Sequence, residues 1–468
     1  MSDVAAAIRD GQHIAPAREG AYPLRAGNRV RPLVDGDAAF RRICEAIETA
    51  KRSVWVTVAY LERDVPMPDG RGSFFDVLDR AAARGLDVRV IFWREPHLSE
   101  LEPGSTHFAG TAEERDWLRK RDGRWLARWD RHPNTYCHHQ KSWIVDAGGP
   151  DEVSFVGGIN LVRPSLLASA GHGPVKGSQD HDVYLEVQGP ATTDVHHNFV
   201  QRWNEASERE QKDGAWPEPA KVTDLAFPTA ITPEAGEIPV QITRTVMEGL
   251  YQNDTATPGG EPFAIAEGDK SSLEQYLTAI GAAREAIYVE DQAIGSSSIV
   301  DALEAALCRG VDVVFLVPGH AHPAFVEARR DPRAASFFEK LAALGDHASF
   351  TLAAICGSRG NGHYDEVYVH AKIMLVDDAW TLIGSTNIAE RSFHRDTELN
   401  ASFWHAETTR SLRVELFQEH LGRDTTGLDA RAALRLFHEI ARANDDRRAF
   451  WKQLEGLAYA VDPVEYGA

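Results

Sequence analysis

Two short strings with the same residue spacing stand in the two halves of the chain. Both read H-x-K-x-x-x-x-D, the first over residues 139–146 and the second over residues 370–377. Each is followed by a glycine-containing turn that ends in an asparagine, at Asn160 and at Asn387. One such string arises by chance at roughly the per-cent level in a chain of this size. Two strings with the same continuation therefore indicate a duplicated half-site.

The histidine and the lysine of each string are predicted to point to the same side. In an extended segment, residues two apart share a face. His139 therefore projects with Lys141, and His370 projects with Lys372. The aspartate that closes each string has the opposite parity and lies where the apolar run stops. We expect both aspartates to fix the strand ends and not to react.

Two imidazoles, two ammonium groups and two amides in one pocket suit the cleavage of a phosphodiester. A neutral histidine can attack phosphorus and form a phosphohistidine, while a protonated histidine opposite donates to the leaving alkoxide. The lysines and the amides would hold the non-bridging oxygens. Because the lysines already supply positive charge, we predict that no metal and no other cofactor is needed. We assign six residues to the catalytic motifs and four to substrate binding: His139, Lys141, Asp146, His370, Lys372 and Asp377, followed by Gly158, Asn160, Ser385 and Asn387.

Two alternatives give these residues no catalytic role. Each histidine–lysine pair could be a solvated surface pair, which the shared turns argue against. A metal site at Cys137, His138 and His139 is the other alternative. Successive residues of a strand alternate between faces, so one ion cannot easily bind all three.

Charge and cysteine content narrow the class of protein. The 468 residues include 50 Lys and Arg against 70 Asp and Glu, a formal net charge of -20. Proteins that grip long nucleic acid normally present a basic face, so we expect nucleic acid not to be the partner. The four cysteines contain no C-x-x-C pair, which argues against a disulfide framework and against a zinc site.

The apolar patterning predicts a protein that meets a membrane only at its surface. Residues 1–20 lack an apolar stretch of signal-peptide length, and no run approaches the ~18 apolar residues of a membrane span. We expect a peripheral monomer that is cytoplasmic, or exported without a recognisable signal peptide. The acidic charge suits zwitterionic head groups better than strongly anionic bilayers.

The duplication extends over most of the chain. In each half, an amphipathic helix ends in Arg-Gly before a buried strand, at Gly85 and at Gly310. Alternating strands and helices predict an α/β fold of two similar α-β-α sandwich lobes related by a pseudo-twofold. We place the N-terminal lobe at 1–212 and a proline-rich linker or surface crossing at 213–239. The C-terminal lobe, with extra C-terminal helices, takes residues 240–468.

The paired strings resemble those of the phospholipase D superfamily, which is defined by two HKD motifs. The resemblance covers about residues 30–421. Several stretches look more like true phospholipases D than like the superfamily at large, among them residues 137–141, 155–159, 287–292 and 383–392. The resemblance implies a phospholipase D-like fold. It also implies hydrolysis of phospholipids to phosphatidic acid and a free alcohol, or phosphatidyl transfer when an alcohol replaces water.

The resemblance implies roles for individual residues as well. One motif histidine attacks and the other acts as acid and then as base. By position we assign His139 as nucleophile and His370 as general acid, although the symmetry of the sequence leaves the two roles interchangeable. Asp182 and Glu398 match acidic residues of the family that orient each histidine through its other ring nitrogen. Ala293 departs from the family pattern, which usually has an aromatic residue there.

We therefore predict a phospholipase D that acts on phosphatidylcholine or phosphatidylethanolamine through a phosphohistidine. A nuclease or other non-lipid phosphodiesterase of the same superfamily would keep both motifs but present a basic groove. Transferases that resemble cardiolipin synthase normally add N-terminal membrane spans. A non-catalytic scaffold is disfavoured, because histidine, lysine and asparagine are intact in both halves.

Overall fold

The computed structural model describes residues 13–95, 107–108, 110–121, 123–166, 172, 179–218, 221–358 and 363–468. Strands and helices alternate along both halves of the chain, as the sequence predicts. The strands of the first half are β1 (Arg25–Val34), β2 (Ser53–Val58), β3 (Asp87–Trp93), β4 (Leu126–Asp130), β5 (Ser142–Val145), β6 (Val153–Gly157), β7 (Gln179–His181), β8 (Val183–Gln188) and β9 (Ala215–Trp216). Those of the second half are β10 (Ile238–Thr245), β11 (Ala286–Asp291), β12 (Ile294–Gly295), β13 (Asp312–Leu316), β14 (Phe350–Ser358), β15 (Tyr364–Val369), β16 (Lys372–Val376), β17 (Trp380–Gly384), β18 (Ile388–Ala389), β19 (Glu398–Trp404) and β20 (Ala458–Ala460).

The α-helices connect and cover these strands. They are α1 (Gly36–Thr49), α2 (Phe74–Ala83), α3 (Ala112–Lys120), α4 (Arg163–Leu166), α5 (Thr192–Glu205), α6 (Ser271–Ala282), α7 (Ser297–Cys308), α8 (Pro323–Arg329), α9 (Ala335–Leu344), α10 (Glu390–His394), α11 (Ala406–Leu421) and α12 (Ala430–Ala449). Within the described residues, no helix combines the length and the apolar character needed to cross a membrane.

The same order of strands recurs in two sheets. The first sheet runs β9-β4-β3-β2-β5-β6-β8-β1, with β2, β3 and β4 parallel and the other neighbours antiparallel. The second runs β20-β14-β13-β11-β16-β17-β19-β10, with β11, β13 and β14 parallel. The equivalent strands β1 and β10 pair antiparallel and join the sheets, which places the pseudo-twofold between them.

Helices cover both faces of each sheet. One core cluster joins α1 and α2 to the first sheet, and its counterpart joins α6, α7 and α9 to the second. A central cluster takes α5, α11 and α12 together with the opposite faces of both sheets. Every residue of β2 and of β13 is buried, as expected for parallel strands covered on both sides. The predicted pair of α-β-α lobes is confirmed, and the two lobes share one core.

Equivalent helices of the two halves end in the same way. Gly85 follows α2 with a φ of 87°, and Gly310 follows α7 with a φ of 85°. A residue with a Cβ is strained in this left-handed region, which explains why Arg-Gly closes both helices. At the start of α2, the side chains of Ser73 and Asp76 accept hydrogen bonds from each other's backbone N–H groups.

Three parts of the chain contain structure that the sequence did not predict. The crossing at 213–239 contains β9, which pairs with β4, and it buries Val222 in the central core. Where extra C-terminal helices were predicted, the chain after α11 forms one helix, α12, and then β20 beside β14. Ile14 lies in the core of the second half, where its carbonyl accepts a hydrogen bond from Trp404 Nε1 at 2.8 Å. The start of the described chain therefore packs on the opposite lobe.

Candidate active site

The two motif histidines lie just before β5 and β16, where the halves of the molecule meet. The sequence predicts both histidines inside these strands, but the strands begin later. The backbone N–H of His139 donates to the carbonyl of Thr397 at 3.0 Å, and that of His370 donates to the carbonyl of His181 at 2.8 Å. Each motif segment is therefore fixed by the opposite half before it enters its own sheet.

Each imidazole is held by a carboxylate of the opposite half. Nδ1 of His139 lies 3.0 Å from Oε2 of Glu398 and 3.0 Å from the carbonyl oxygen of Ser385. Nδ1 of His370 lies 2.6 Å from Oδ2 of Asp182. A proton on Nδ1 leaves Nε2 of each ring as the nitrogen that can react. The family resemblance implies both acidic partners but not that the halves exchange them.

The two lysines of the motifs are buried beside the histidines. Nζ of Lys141 donates to the carbonyl of His139 at 2.9 Å. Nζ of Lys372 donates to the carbonyl of His370 and, at 3.1 Å, to Oε1 of Gln292. These hydrogen bonds go to neutral carbonyl and amide oxygens, so they leave the ammonium charge available to an anion in the pocket.

The two asparagines that end the turns lie at the mouth of the site. Nδ2 of Asn160 is 3.4 Å from Nε2 of His370, the nitrogen predicted to react. Asn387 lines the cavity that also exposes His139. Among the described residues, neither side-chain oxygen accepts a hydrogen bond. Asn160 therefore contacts one motif imidazole, and Asn387 shares a cavity with the other.

The aspartates that close the motifs bind backbone N–H groups at the far ends of the strands. The carboxylate of Asp146 accepts from residues 51–53 at distances between 2.7 and 3.3 Å. That of Asp377 accepts from residues 284–286 at 2.8 and 2.9 Å. Both therefore fix the entry into β2 and β11, and they do not touch the reacting nitrogens.

Gly158 and Ser385 brace the carboxylates that hold the histidines. A Cβ at position 158 would lie 2.4 Å from Oδ1 of Asp182, so glycine leaves room for that carboxylate. The hydroxyl of Ser385 donates to Oε2 of Glu398 at 2.6 Å, and the residue is fully buried. We predicted substrate contacts for both residues. The structure shows both residues beside the carboxylates that hold the histidines.

Burial lowers the pKa values of the histidines and of Lys141 in the pocket, because it disfavours their charged forms. Burial, with Lys141 and Lys372 close by, holds the pKa of His139 well below its usual value. Burial and Lys372 also hold the pKa of His370 well below its usual value. The same two causes lower the pKa of Lys141 to about 8. Neutral imidazoles beside ammonium groups suit nucleophilic attack on an anionic phosphodiester.

Burial has the opposite effect on the two partner carboxyl groups. It raises the pKa of Asp182 to about 7 and the pKa of Glu398 to about 8. Each imidazole–carboxyl pair therefore gains or loses a proton as a unit near neutral pH. A pair that holds the proton can act as general acid, and a pair that has lost it presents a neutral nucleophile.

A cavity of about 420 Å³ opens in front of His139 and is lined by both halves. The ring of Tyr60 packs edge-on against those of Trp93 and His139, with centroids 5.3 and 6.3 Å apart. Arg391, paired with Asp396 at 2.7 Å, adds a cationic group to the same wall. Sequence reasoning missed these lining residues, since no motif spacing links them to the histidines.

The alternative metal site beside the first motif does not form. His138 points away from the cavity, with Nδ1 3.1 Å from Oγ1 of Thr397 and Nε2 3.1 Å from Oδ2 of Asp130. In the part of the chain that the structure describes, no metal-capable cluster includes Cys137, His138 or His139.

Both motifs fall within one family match. The family model described as "Cardiolipin synthase, PLD-like domain" matches residues 43–203 and 276–420, well over half of the chain. A second model, described as "Phospholipase D", matches residues 169–309. The chain belongs to the phospholipase D superfamily.

Individual relatives share a low sequence identity with this chain, but their alignments cover most of it. Phospholipase D A of Dictyostelium discoideum is 24% identical, covering 86% of this chain and 36% of the relative. Phospholipase D alpha 2 of Oryza sativa subsp. japonica is 25% identical, covering 88% of this chain and 66% of the relative. Cardiolipin synthase of Listeria monocytogenes serotype 4a (strain HCC23) is 25% identical, covering 88% of this chain and 73% of the relative. The chain thus spans about one to two thirds of the length of the first two relatives.

A solved structure shares the fold. The crystal structure of phosphatidylserine synthase from Haemophilus influenzae Rd KW20 superposes with a TM-score of 0.55. The alignment covers 91% of this chain and 95% of that one at 12% identity. This likeness concerns the fold alone.

Proposed function

We propose that the protein is a phospholipase D-type enzyme that acts on glycerophospholipids at a bilayer surface. It hydrolyses phosphatidylcholine or phosphatidylethanolamine to phosphatidic acid and the head-group alcohol, and it transfers the phosphatidyl group when another alcohol replaces water. The observation that carries the proposal is the pair of buried imidazoles, each bound through Nδ1 to a carboxylate of the opposite half.

The proposed reaction has two steps on one phosphorus. Nε2 of His139 attacks phosphorus, the bond to the head-group oxygen breaks, and protonated His370 gives its proton to that oxygen. Water then transfers a proton to His370 and attacks the phosphohistidine, which breaks the P–N bond and releases phosphatidic acid. Lys141 and Lys372 stabilise the charge on the non-bridging oxygens in both transition states.

Charge and cavity shape favour a lipid over a polynucleotide. A net charge of -20 opposes the long-range attraction of a nucleic acid backbone. The cavity wall combines the apolar side chains of Tyr60, Trp93, Ala293 and Phe325 with Arg391, whose guanidinium is paired with Asp396. Such an apolar wall next to His139 suits an acyl chain beside the reacting phosphate.

The test is a product assay on vesicles. Purified protein is incubated with phosphatidylcholine or phosphatidylethanolamine vesicles, with and without ethanol, and in parallel with plasmid DNA. We expect phosphatidic acid, joined by phosphatidylethanol when ethanol is present, and intact plasmid. Nicked plasmid with unchanged lipid would instead assign the site to nuclease chemistry.

Phosphatidyl transfer to a second lipid is a further candidate, favoured by the family model and by the Listeria relative. An acceptor alcohol that belongs to phosphatidylglycerol would yield cardiolipin and free glycerol from the same phosphohistidine. Vesicles of phosphatidylglycerol alone distinguish the two reactions. Cardiolipin as the main product supports lipid-to-lipid transfer, whereas phosphatidic acid as the main product supports hydrolysis.

A further inference from the structure

A second group of buried ionisable side chains joins the two halves and does not line the catalytic cavity. Asp35 follows β1, His172 precedes β7, His181 ends β7, and Glu419 lies on α11. The first three belong to the first half, and Glu419 belongs to the second. Asp35, His172 and His181 are at most 2% exposed, and the side chain of Glu419 is 6% exposed. The proposed reaction uses none of these side chains.

The ligand atoms of these four side chains converge on one point. Nε2 of His172 lies 3.5 Å from Nδ1 of His181. Oε1 of Glu419 is 3.1 Å from the first nitrogen and 3.4 Å from the second. Oδ2 of Asp35 is 3.4 Å from His172 Nε2, and its Oδ1 is 3.1 Å from His181 Nδ1. A tetrahedral ion with ligands at about 2.0–2.1 Å separates its ligand atoms by about 3.3–3.4 Å.

The outer ring nitrogens determine where the protons of the two histidines sit. Nε2 of His181 lies 2.9 Å from Oε2 of Glu290, and Nδ1 of His172 lies 3.3 Å from Oε1 of Gln179. A carboxylate and an amide oxygen can only accept, so both outer nitrogens carry hydrogen. The inner nitrogens of the neutral rings then present two lone pairs to each other. Carboxylate–histidine–metal arrangements show this same proton placement.

The carboxylates leave anionic oxygens at the centre of the cluster. Among the described residues, Oδ2 of Asp35 and Oε1 of Glu419 make no hydrogen bond of ordinary geometry. Buried anionic oxygens without donors are costly, and a cation between them removes the cost. Two carboxylates and two imidazole nitrogens whose ligand atoms lie within 4.8 Å of one another therefore favour a bound cation at this point.

We propose that Asp35, His172, His181 and Glu419 bind one zinc-class divalent ion that ties the two halves together. Two imidazole nitrogens and two carboxylate oxygens suit zinc better than calcium or magnesium, which prefer oxygen ligands alone. Two carboxylates balance a doubly charged ion. Four protein ligands close the coordination shell, so the ion has a structural role and presents no open position for substrate.

Metal content tests this site without reference to activity. The full-length chain is produced with zinc in the medium, desalted, and analysed by elemental mass spectrometry. We expect about one zinc per chain in the wild type and far less in His172→Gln and in Glu419→Gln. His438→Gln is the matched control and should keep its zinc, because His438 lies outside the cluster and hydrogen-bonds with the hydroxyl of Thr351. Circular dichroism establishes that each variant is folded.

Cobalt substitution decides the question even if a variant fails to fold. Wild-type protein loaded with Co²⁺ should show the intense visible bands of a tetrahedral ion with nitrogen and oxygen ligands. If the wild type holds no zinc and binds no Co²⁺ after loading, then protons and not a metal ion balance the charge of the carboxylates, and the proposal is overturned. Zinc that stays in both folded ligand variants would place the ion elsewhere and overturn it equally.

Discussion

Replacing Glu398 by glutamine tests whether the exchanged carboxylates serve catalysis. In the wild type, Oε2 of Glu398 lies 3.0 Å from Nδ1 of His139. Glutamine keeps the shape of the side chain and a hydrogen bond to this nitrogen, but it removes the negative charge. A hydrogen bond that involves a charged group contributes about 1.5–3 kcal/mol, against about 0.5–1.5 kcal/mol for a neutral one. The difference of about 1–1.5 kcal/mol between the two hydrogen bonds lowers kcat about 5- to 13-fold.

The assay compares Glu398→Gln with a matched carboxylate outside the site. Glu152 is buried beside His196, with Oε1 3.1 Å from Nδ1 of that ring, so Glu152→Gln makes the same chemical change elsewhere. kcat and KM are measured on a short-chain phosphatidylcholine, with circular dichroism and Tm for both variants. We expect the loss of turnover in Glu398→Gln alone, with KM nearly unchanged.

The pH profile gives a second readout of the same substitution. In the wild type, one imidazole–carboxyl pair must hold a proton and the other must have lost it, with carboxyl pKa values of about 7 for Asp182 and about 8 for Glu398. kcat/KM should therefore rise and then fall around these values, and Glu398→Gln should remove one limb. A folded Glu398→Gln variant with wild-type kcat and an unchanged bell would refute the functional role of the exchanged carboxylates.

The motif residues themselves give simpler expectations. His139→Ala and His370→Ala should each remove nearly all turnover, because attack and proton donation act as one unit; substantial phosphatidic acid release by either variant would contradict the mechanism. Lys141→Met and Lys372→Met should lower kcat about 10²- to 10³-fold with little change in KM, and unchanged kcat in both would remove the lysines from the reaction. Gly158→Ala should lower Tm and kcat together, since its Cβ would stand 2.4 Å from the carboxylate beside His370. A wild-type Tm and kcat for that variant would show that the turn adjusts without cost.

The fold could be predicted because both halves repeat the same local signals. The glycines that end the helices, Gly85 and Gly310, and the apolar runs of the strands are signals that span only a few residues. The sequence alone therefore predicts two α/β lobes. The pairing of β1 with β10 and the edge position of β20 could not be predicted in the same way. These contacts depend on packing between segments that are far apart in the chain.

The sequence pointed to the residues of the candidate site, but it did not predict which of their side chains contact one another. Strand parity and the repeated spacing point to His139 and His370, and the resemblance adds Asp182 and Glu398. The exchange of partners joins residues 259 and 188 positions apart, and no periodic pattern encodes such a contact. Nothing in the spacing of Ser385 showed that its hydroxyl would turn back to a carboxylate instead of facing the substrate.

The zinc-class cluster was missed for a related reason. Sequence reasoning sought metal ligands at short spacings, as in C-x-x-C pairs. Asp35, His172, His181 and Glu419 come from four separate segments, and only the folded chain brings them together. The prediction of no metal rested on the scattered cysteines and on the positive charge of the motif lysines, and neither signal bears on a site made of histidine and carboxylate ligands.

Both buried polar clusters meet at the end of β7, so the proposed reaction depends on the interface between the halves. The side chain of His181 faces the proposed ion, while its backbone carbonyl accepts a hydrogen bond from His370 at 2.8 Å. The next residue, Asp182, holds the ring of His370 at 2.6 Å. An ion that fixes β7 against α11 therefore also fixes the carboxylate that orients one reacting imidazole. Because each motif histidine takes its carboxylate from the opposite half, any loosening of this interface would lengthen the contacts that orient both motif imidazoles.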